Sequence, residues 1–176
     1  MQSLRECFDK HGCDRGSRHS YERVYEPLFE PIRLEPLRIL EIGVWRGAGI
    51  WAWLDYFPKA TVFGIDTFQR VPPSQVEVLK HERVFWWAHD STKGLVFGDQ
   101  LHEANQYDII IDDGCHRAEA QLSTWRNFYQ KLKPGGMYFI EDVWQKGPGY
   151  ADLIAGLPTT AKHYRLNGPD SHIIQC

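Results

Sequence analysis

The chain has 176 residues, of which 43% are hydrophobic, 14% aromatic and 24% charged, and its formal net charge at pH 7 is −3. This composition is that of one globular domain, and the even spread of lysine and arginine argues against a nucleic-acid partner. No stretch approaches the roughly 20 apolar residues that cross a bilayer, and the charged N-terminus lacks the apolar core of a signal peptide, so we expect no membrane partner.

The first 32 residues precede the regular part of the pattern. Between His11 and Ile32 they read "HGCDRGSRHSYERVYEPLFEPI", which predicts a polar loop followed by one amphipathic helix. Periodicity alone assigns this segment no role.

Strands and helices alternate after this segment. "LRILEIG" (37–43), "TVFGID" (61–66) and "RVFWWAHD" (83–90) are apolar or β-branched runs that predict three strands. "AGIWAWLDYF" (48–57) predicts a helix between the first two, and Pro58 ends it.

The fourth predicted strand is "YDIIIDD" (107–113), whose unbroken isoleucines are typical of a parallel strand buried on both faces. A helix follows over 116–132, with apolar residues at helical spacing. "KPGG" is predicted to break it before a fifth strand, "MYFIED" (137–142), and the tail around "GPD" predicts a hairpin. The pattern therefore predicts one α/β domain over 1–176, with its core at 37–176. The sheet has seven mostly parallel strands, an antiparallel C-terminal hairpin and helices on both faces.

Glycines join the first strand to its helix in "EIGVWRGAG" (41–49), where a ligand can approach the backbone. Their spacing matches neither the dinucleotide fingerprint nor a phosphate loop. Asp66 ends the second strand, where an acid can accept hydrogen bonds from a ribose diol. Asp90 ends the third strand and could reach an adenine amino group.

Three carboxylates, Asp113, Glu141 and Asp142, lie at the C-terminal ends of the fourth and fifth predicted strands. Carboxylates at one sheet edge repel each other unless a cation lies among them, and oxygen ligands suit Mg²⁺ or Mn²⁺. The alternative is a structural role, in which they cap helices or pair with arginines such as Arg117. His116 lies at the same edge, and its imidazole titrates near neutrality, as a general base requires.

In chain order, "HGCDRGSRHSYERVYEPLFEP", "LEIGVWRGAG", "GID", "HD", "IIIDDGCH" and "KPGGMYFIEDV" resemble the class I S-adenosylmethionine-dependent methyltransferases. The set is most similar to the metal-dependent sugar O-methyltransferases of macrolide biosynthesis. The chain departs from that pattern at Cys115 and Arg15, where the family has serine and lysine, and in a shorter segment after Asp142.

The resemblance implies a Rossmann-like methyltransferase domain, with residues 1–32 covering the cofactor site. It implies that His116 and Asp113 are catalytic and that Asp113, Glu141 and Asp142 bind Mg²⁺ or Mn²⁺. The residues that it and the strand-end pattern assign to S-adenosylmethionine are Asp14, His19, Tyr21, Glu41, Gly43, Trp45, Gly47, Asp66, Asp90 and Asp112.

The function that the sequence predicts is methyl transfer to a hydroxyl of a small molecule, with a sugar or glycoside favoured. A catechol-type acceptor, a non-catalytic cofactor-binding module and, third, nucleic-acid methylation are the alternatives. Trp45 and Trp144 flank the predicted site, where they could pack on the cofactor or on a sugar ring. The four scattered cysteines favour a reducing cytoplasm, and whether the protein forms a homo-oligomer stays open.

Overall fold

A computed structural model describes residues 1–94, 107–166 and 172–176. It confirms the α/β fold, with seven strands in one sheet in the order β3-β2-β1-β4-β5-β7-β6. The strands are β1 Arg38–Ile42, β2 Thr61–Asp66, β3 Val84–Ala88, β4 Tyr107–Asp112, β5 Leu132–Ile140, β6 Lys162–Arg165 and β7 His172–Gln175.

Strands β1 to β5 are parallel, whereas β7 runs antiparallel to both β5 and β6. The carboxyl ends of β1, β2, β4 and β5 therefore meet at one edge of the sheet. In open α/β sheets this is the edge where ligands bind. The predicted C-terminal hairpin is present as β6 and β7, while its "GPD" turn lies outside the described residues.

The α-helices in the described ranges are α1 Leu4–Lys10, α2 Glu22–Phe29, α3 Ala48–Tyr56, α4 Ala118–Phe128 and α5 Tyr150–Gly156. Short 3₁₀ turns lie at Glu30–Ile32, Pro73–Gln75, Glu77–Lys80 and Tyr129–Lys131. None of these helices is long and apolar enough to cross a membrane.

The helices cover both faces of the sheet, as predicted. On one face α1 and α2 pack with α3, and the ring of Trp53 lies 5.1 Å from that of Phe8. On the other face α4 packs with α5, and the ring of Trp125 lies 4.8 Å from that of Tyr138. The isoleucines of β4 divide between the two cores: Ile109 and Ile111 belong to the first, and Ile110 to the second. This is the arrangement expected of a strand buried on both faces.

The N-terminal segment contains more structure than the sequence pattern indicated. Helix α1 was not predicted, although Ser3 and Glu6 form a capping box at its start. Its buried residues Leu4, Cys7 and Phe8 belong to the first core. Helix α5, with a single buried residue, Leu153, was also missed.

The boundaries around "KPGG" differ from the prediction. Helix α4 covers Ala118–Phe128 and is shorter than predicted at both ends, and β5 already begins at Leu132. The proline and glycines lie within an irregular stretch of β5, because the pairing with β4 jumps from Leu132 to Met137. Regular pairing thus starts at Met137, the residue where the sequence predicted the strand to begin.

Candidate active site

An open cavity of about 900 Å³ lies at the carboxyl edge of the sheet. Its lining comes from the residues that end or follow five parallel strands: Ile42 and Gly43 at the end of β1, Ile65 and Asp66 on β2, His89 and Asp90 after β3, Asp113 to Arg117 after β4, and Asp142 and Trp144 after β5. Residues of the N-terminal segment, including Asp14 and His19, line it as well. One end of the cavity thus lies over β1, β2 and β3, and the other over β4 and β5.

The β1–α3 loop depends on glycine at three positions. A Cβ atom on Gly43, whose φ is +93°, would lie 2.1 Å from the backbone oxygen of Asp113. A Cβ on Gly47 would meet the side chain of Val78 at 2.4 Å, and one on Gly49 would meet Nη1 of Arg15 at 2.1 Å. These glycines let the loop pass close to the end of β4 and leave room for a buried guanidinium.

Asp66 holds the same loop from the end of β2. Its Oδ2 accepts hydrogen bonds from the backbone N–H groups of Val44 and Trp45, both at 2.9 Å. Its Oδ1 accepts one from Phe68 at 2.8 Å. An ionised carboxylate has about four acceptor positions, so Asp66 can position the loop and still accept a hydrogen bond from a ligand.

Several backbone outliers occur at this edge. Trp45, Phe68 and Asp142 have φ values of +46°, +53° and +50°, and Ser20 has +57°. Non-glycine residues rarely adopt this left-handed conformation, which costs energy and often occurs at ligand sites. Trp45 and Asp142 both line the cavity.

The N-terminal segment contributes a histidine–aspartate pair and a tyrosine. His19 Nε2 lies 3.7 Å from Oδ2 of Asp14, and the interaction with Asp14 raises the pKa of the imidazole. The hydroxyl of Tyr21 donates a hydrogen bond to Oδ1 of Asp142. On the other side of the cavity, Asp90 accepts a hydrogen bond from the Thr92 hydroxyl at 2.6 Å.

Asp113, His116 and Asp142 form what we call the acidic rim. Nε2 of His116 lies 3.2 Å from Oδ1 of Asp113, and its Nδ1 lies 3.6 Å from Oδ2 of Asp142. One potential ligand atom from each residue can be chosen so that all lie within 4.8 Å of one another. The hydrogen bond to Asp113 is the main cause that raises the pKa of His116 to about 9, and the nearby acids add to it.

Arg15 lies beneath the acidic rim with only 2% of its surface exposed. Its Nε donates to both carboxylate oxygens of Glu141, at 2.9 and 2.8 Å. Its Nη1 reaches Glu41 at 3.3 Å, and its Nη2 reaches Oδ2 of Asp113 at 2.8 Å. We call these four residues the Arg15 cluster. Burial acts to lower the pKa of Arg15, but the three carboxylates raise it further, so the guanidinium stays charged.

Glu41 and Glu141 are almost completely buried in this cluster. Besides Arg15, Glu141 accepts a hydrogen bond from the Tyr25 hydroxyl, and Glu41 accepts one from Trp53 Nε1 at 2.7 Å. Burial raises the pKa of both carboxyls, while Arg15 opposes the rise. Because their hydrogen-bond donors all lie inside the protein, the carboxylate oxygens of Glu41 and Glu141 face the guanidinium and not the cavity.

The structure thus separates the predicted site residues into two groups. Those that line the cavity are Asp14, His19, Gly43, Trp45, Asp66, Asp90, Asp113, His116 and Asp142. Among the described residues, the predicted ones outside its lining are Tyr21, Glu41, Gly47, Asp112 and Glu141. Asp112 is buried, accepts a hydrogen bond from the Gly114 N–H at 3.2 Å, and has its pKa raised by burial to about 7.

The buried role of Arg15 was not predicted, nor were its neighbours Tyr25 and Gly49. One signal for it was present in the sequence. Glu41 lies near the end of β1, and Asp113 and Glu141 directly follow the adjacent strands β4 and β5, so their charges favour a cation between them. Which of the arginines supplies it depends on the path of the N-terminal segment, which the periodicity does not give.

The chain matches a family model described as a methyltransferase domain over residues 40–143. It is 30% identical over 150 residues to the 8-demethyl-8-(2-methoxy-alpha-L-rhamnosyl)-tetracenomycin-C 3'-O-methyltransferase of Streptomyces olivaceus, covering 80% of this chain and 37% of that protein. It is 28% identical over 137 residues to the mycinamicin VI 2''-O-methyltransferase of Micromonospora griseorubida, covering 73% of this chain and 33% of that protein.

Among solved structures, the chain is similar to the methyltransferase MycE in complex with Mg, S-adenosylhomocysteine and mycinamycin VI. The TM-score is 0.68 at 25% sequence identity, and the match covers 85% of this chain and 42% of that one. The chain therefore spans well under half the length of these similar proteins.

Proposed function

Because this chain belongs to the methyltransferase domain family, we propose that it transfers the methyl group of S-adenosylmethionine to a hydroxyl oxygen of a small molecule, a sugar or glycoside. One observation carries the proposal. A single cavity joins the glycine loop and Asp66 at one end to the acidic rim at the other. A methyl donor and a hydroxyl acceptor can therefore meet between β1 and β4.

The cofactor end is assigned to the residues around β1, β2 and β3. Asp66 would accept hydrogen bonds from the ribose hydroxyls, and Asp90 would accept one from the adenine amino group. Gly43 and Trp45 would contact the cofactor from the loop, with Asp14 and His19 covering it. Glu41, Gly47, Tyr21 and Asp112 would act indirectly, by holding these elements in place. Support comes from the neighbouring structure with bound S-adenosylhomocysteine.

The residues of the acidic rim fit a divalent cation such as Mg²⁺ or Mn²⁺. Asp113 and Asp142 each offer a carboxylate oxygen at the cavity, within the reach that one ion needs. Glu141 is the third acid that the sequence assigned to the metal, and it would join the ligands only if Arg15 released one of its oxygens. A bound ion would lower the pKa of a coordinated hydroxyl and fix its direction.

His116 is the residue that we assign to the proton. Its imidazole is exposed to the cavity beside both rim carboxylates and can accept the proton of an acceptor hydroxyl. While the two carboxylates hold its pKa near 9, the imidazole carries a proton at neutral pH and cannot accept another. The base role therefore requires that another positive charge offset Asp113 and Asp142.

The proposal can be tested by methyl transfer from isotopically labelled S-adenosylmethionine, with mass spectrometry of the products. The acceptors would be a panel of methyl pyranosides, glycosides and catechols, each with Mg²⁺ or with excess chelator. We expect label on a pyranoside hydroxyl, only with the metal. Full turnover with excess chelator would contradict the metal site, and label on catechols alone would favour the catechol-type alternative.

Cofactor binding separates the enzyme from the alternatives of another class. Calorimetry should show that S-adenosylmethionine and S-adenosylhomocysteine bind and that NAD does not. Binding without turnover on any acceptor in the panel would favour a non-catalytic cofactor-binding module. No binding of either ligand would refute the proposed function.

A further inference from the structure

Trp144 is the large aromatic residue nearest in sequence to the acidic rim. It lies two residues after Asp142 and lines the same cavity as His116. Of its surface 57% is exposed, and the indole belongs to neither core. The proposed reaction assigns no role to this side chain.

A tight turn supports the indole from behind. The N–H of Gly147 donates a hydrogen bond to the backbone oxygen of Trp144 at 2.9 Å. A Cβ atom on Gly147 would lie 2.7 Å from Cε3 and 2.9 Å from Cδ2 of the indole. The ring therefore rests directly on the glycine, while much of its surface remains open.

The second exposed tryptophan of the cavity belongs to the opposite end. Trp45 is 59% exposed, and its backbone N–H is bound to Asp66, the residue assigned to the cofactor ribose. The two tryptophans thus lie at different ends of the cavity. Trp144 belongs to the end that contains the acidic rim, where the acceptor hydroxyl would be bound.

Polar groups accompany the acidic rim in the cavity lining. Cys115 and Arg117 flank His116 in the chain, and both line the cavity. A pyranose ring has an apolar face of C–H groups and a periphery of hydroxyls, and it matches one aromatic wall with polar groups around it. A catechol carries its two hydroxyls on one edge of the ring, so it would offer the polar walls fewer hydrogen-bond partners than a pyranose.

We propose that Trp144 is a positioning residue that stacks on the apolar face of an acceptor pyranose and directs one of its hydroxyls to Asp113, His116 and Asp142. The role of Trp144 rests on the proposed function, and it names the side chain that orients the acceptor. Stacking on one face limits the ring to few orientations. Trp144 therefore also determines which hydroxyl reaches the rim.

The experiment measures acceptor binding directly, in protein saturated with S-adenosylhomocysteine and Mg²⁺. The probes are methyl α-L-rhamnopyranoside and catechol, and the binding of each is measured by calorimetry and by saturation-transfer NMR. The variants are Trp144→Ala, Trp144→Phe and, as a matched control, Tyr129→Ala. Tyr129 is an exposed aromatic outside the cavity lining.

We expect Trp144→Ala to raise the dissociation constant for the pyranoside about tenfold or more. Trp144→Phe should restore most of the affinity, and Tyr129→Ala should not change it. Saturation transfer should be strongest at the C–H protons of one pyranose face. The affinity for S-adenosylhomocysteine should be equal in all four proteins, a result that general unfolding would not produce.

Three results would overturn this inference: equal pyranoside affinity in Trp144→Ala and the unaltered protein, no binding of the pyranoside to the unaltered protein, or tighter Trp144-dependent binding of catechol. Failure of the proposed function gives a different result. In that case S-adenosylhomocysteine itself does not bind, whatever residue stands at position 144.

Discussion

His116 lies between two carboxylates that both attract a proton to its ring. Asp113 contacts Nε2, and Asp142 faces Nδ1. The hydrogen bond to Asp113, together with the charges of both carboxylates, stabilises the imidazolium and raises the pKa of His116 to about 9. The same pair of carboxylates can bind either an imidazolium or a metal ion, so the two cations compete for one place.

Replacing His116 by glutamine should lower kcat by about 10²–10⁴-fold at saturating metal, the range for a positioned proton acceptor. Cofactor affinity should hardly move, because the imidazole faces the rim and not the Asp66 end. The check is to compare the pH–rate profiles of the unaltered protein and His116→Gln. His163→Gln, which replaces an exposed histidine on β6, is the control. An identical acidic limb and similar turnover in the His116 variant would mean that the metal alone activates the hydroxyl.

Asp66 holds the β1–α3 loop through its backbone hydrogen bonds, and we propose that the same carboxylate also binds the cofactor ribose. Asp66→Ala should weaken the binding of S-adenosylhomocysteine by about 1–3 kcal/mol, because a partner of the ribose diol is lost. The loss of three backbone hydrogen bonds to the carboxylate should also loosen the β1–α3 loop. Calorimetry of this variant beside Asp152→Ala, an exposed acid on α5, measures the difference. Unchanged affinity would remove Asp66 from the cofactor site.

At the scale of elements, Arg15 joins the N-terminal segment to the sheet. Its three nitrogens reach residues of β1 and of the segments after β4 and β5. A planar guanidinium can serve three carboxylates in different directions, which a lysine ammonium cannot do with the same geometry. Gly49 contributes by leaving the space that the guanidinium occupies.

Arg15→Ala should destabilise the protein by roughly 3–5 kcal/mol, because it leaves buried carboxylates without their counter-charge. Arg23→Ala, at an exposed position on the following helix α2, should change stability by no more than about 0.5 kcal/mol. Urea unfolding of the two variants at pH 7 gives the comparison. A loss below about 1 kcal/mol for Arg15→Ala would show that Glu41 and Glu141 are neutral without it.

The parts of the fold that sequence predicted best are those where burial imposes a periodic pattern. The apolar runs of β1, β2 and β4 were located to within a residue or two because each is buried on two faces. Helix α1 was missed although the Ser3–Glu6 spacing is a recognisable start signal. Seven residues are too few for helical periodicity to show.

The candidate site was predictable in its location but not in every side-chain direction. Strand ends identify the edge to which Asp113, Glu141 and Asp142 belong. Yet Glu141 and Asp142 are adjacent, and one is buried against Arg15 while the other, with a φ of +50°, lines the cavity. That difference arises from the local backbone conformation and from the contact of Glu141 with Arg15, which is 126 residues away in sequence. Neither can be read from the hydrophobic pattern of the sequence.

At the scale of the whole molecule, folding buries several acids at one edge of the sheet, and burial disfavours their ionised form. Burial raises the pKa of Asp112, Glu41, Glu141 and Asp142 above their usual values. A carboxyl whose pKa is raised on folding destabilises the folded state at every pH at which the same carboxyl is ionised in the unfolded chain. The buried acids at this edge therefore reduce stability at neutral pH.

The pH dependence of stability in metal-free protein should show the charge of His116. A histidine whose pKa is raised on folding stabilises the folded state below its unfolded pKa of roughly 6.5. This contribution is lost as the pH rises toward the folded value of about 9. The free energy of unfolding should therefore fall between pH 6.5 and 8.5. The fall should be modest, because the His116 side chain is 46% exposed and solvent screens its charge.

Urea unfolding at several pH values, with chelator present, measures this fall. In His116→Gln the slope between pH 6.5 and 8.5 should be smaller, while the part that comes from Asp112 ionising near pH 7 remains. Saturating Mg²⁺ should also reduce the slope in the unaltered protein, because the ion offsets Asp113 and Asp142 in place of the imidazolium. Equal slopes in the two metal-free proteins would show that His116 is not held as an imidazolium by the rim. A competition between metal and proton at this place would then be ruled out.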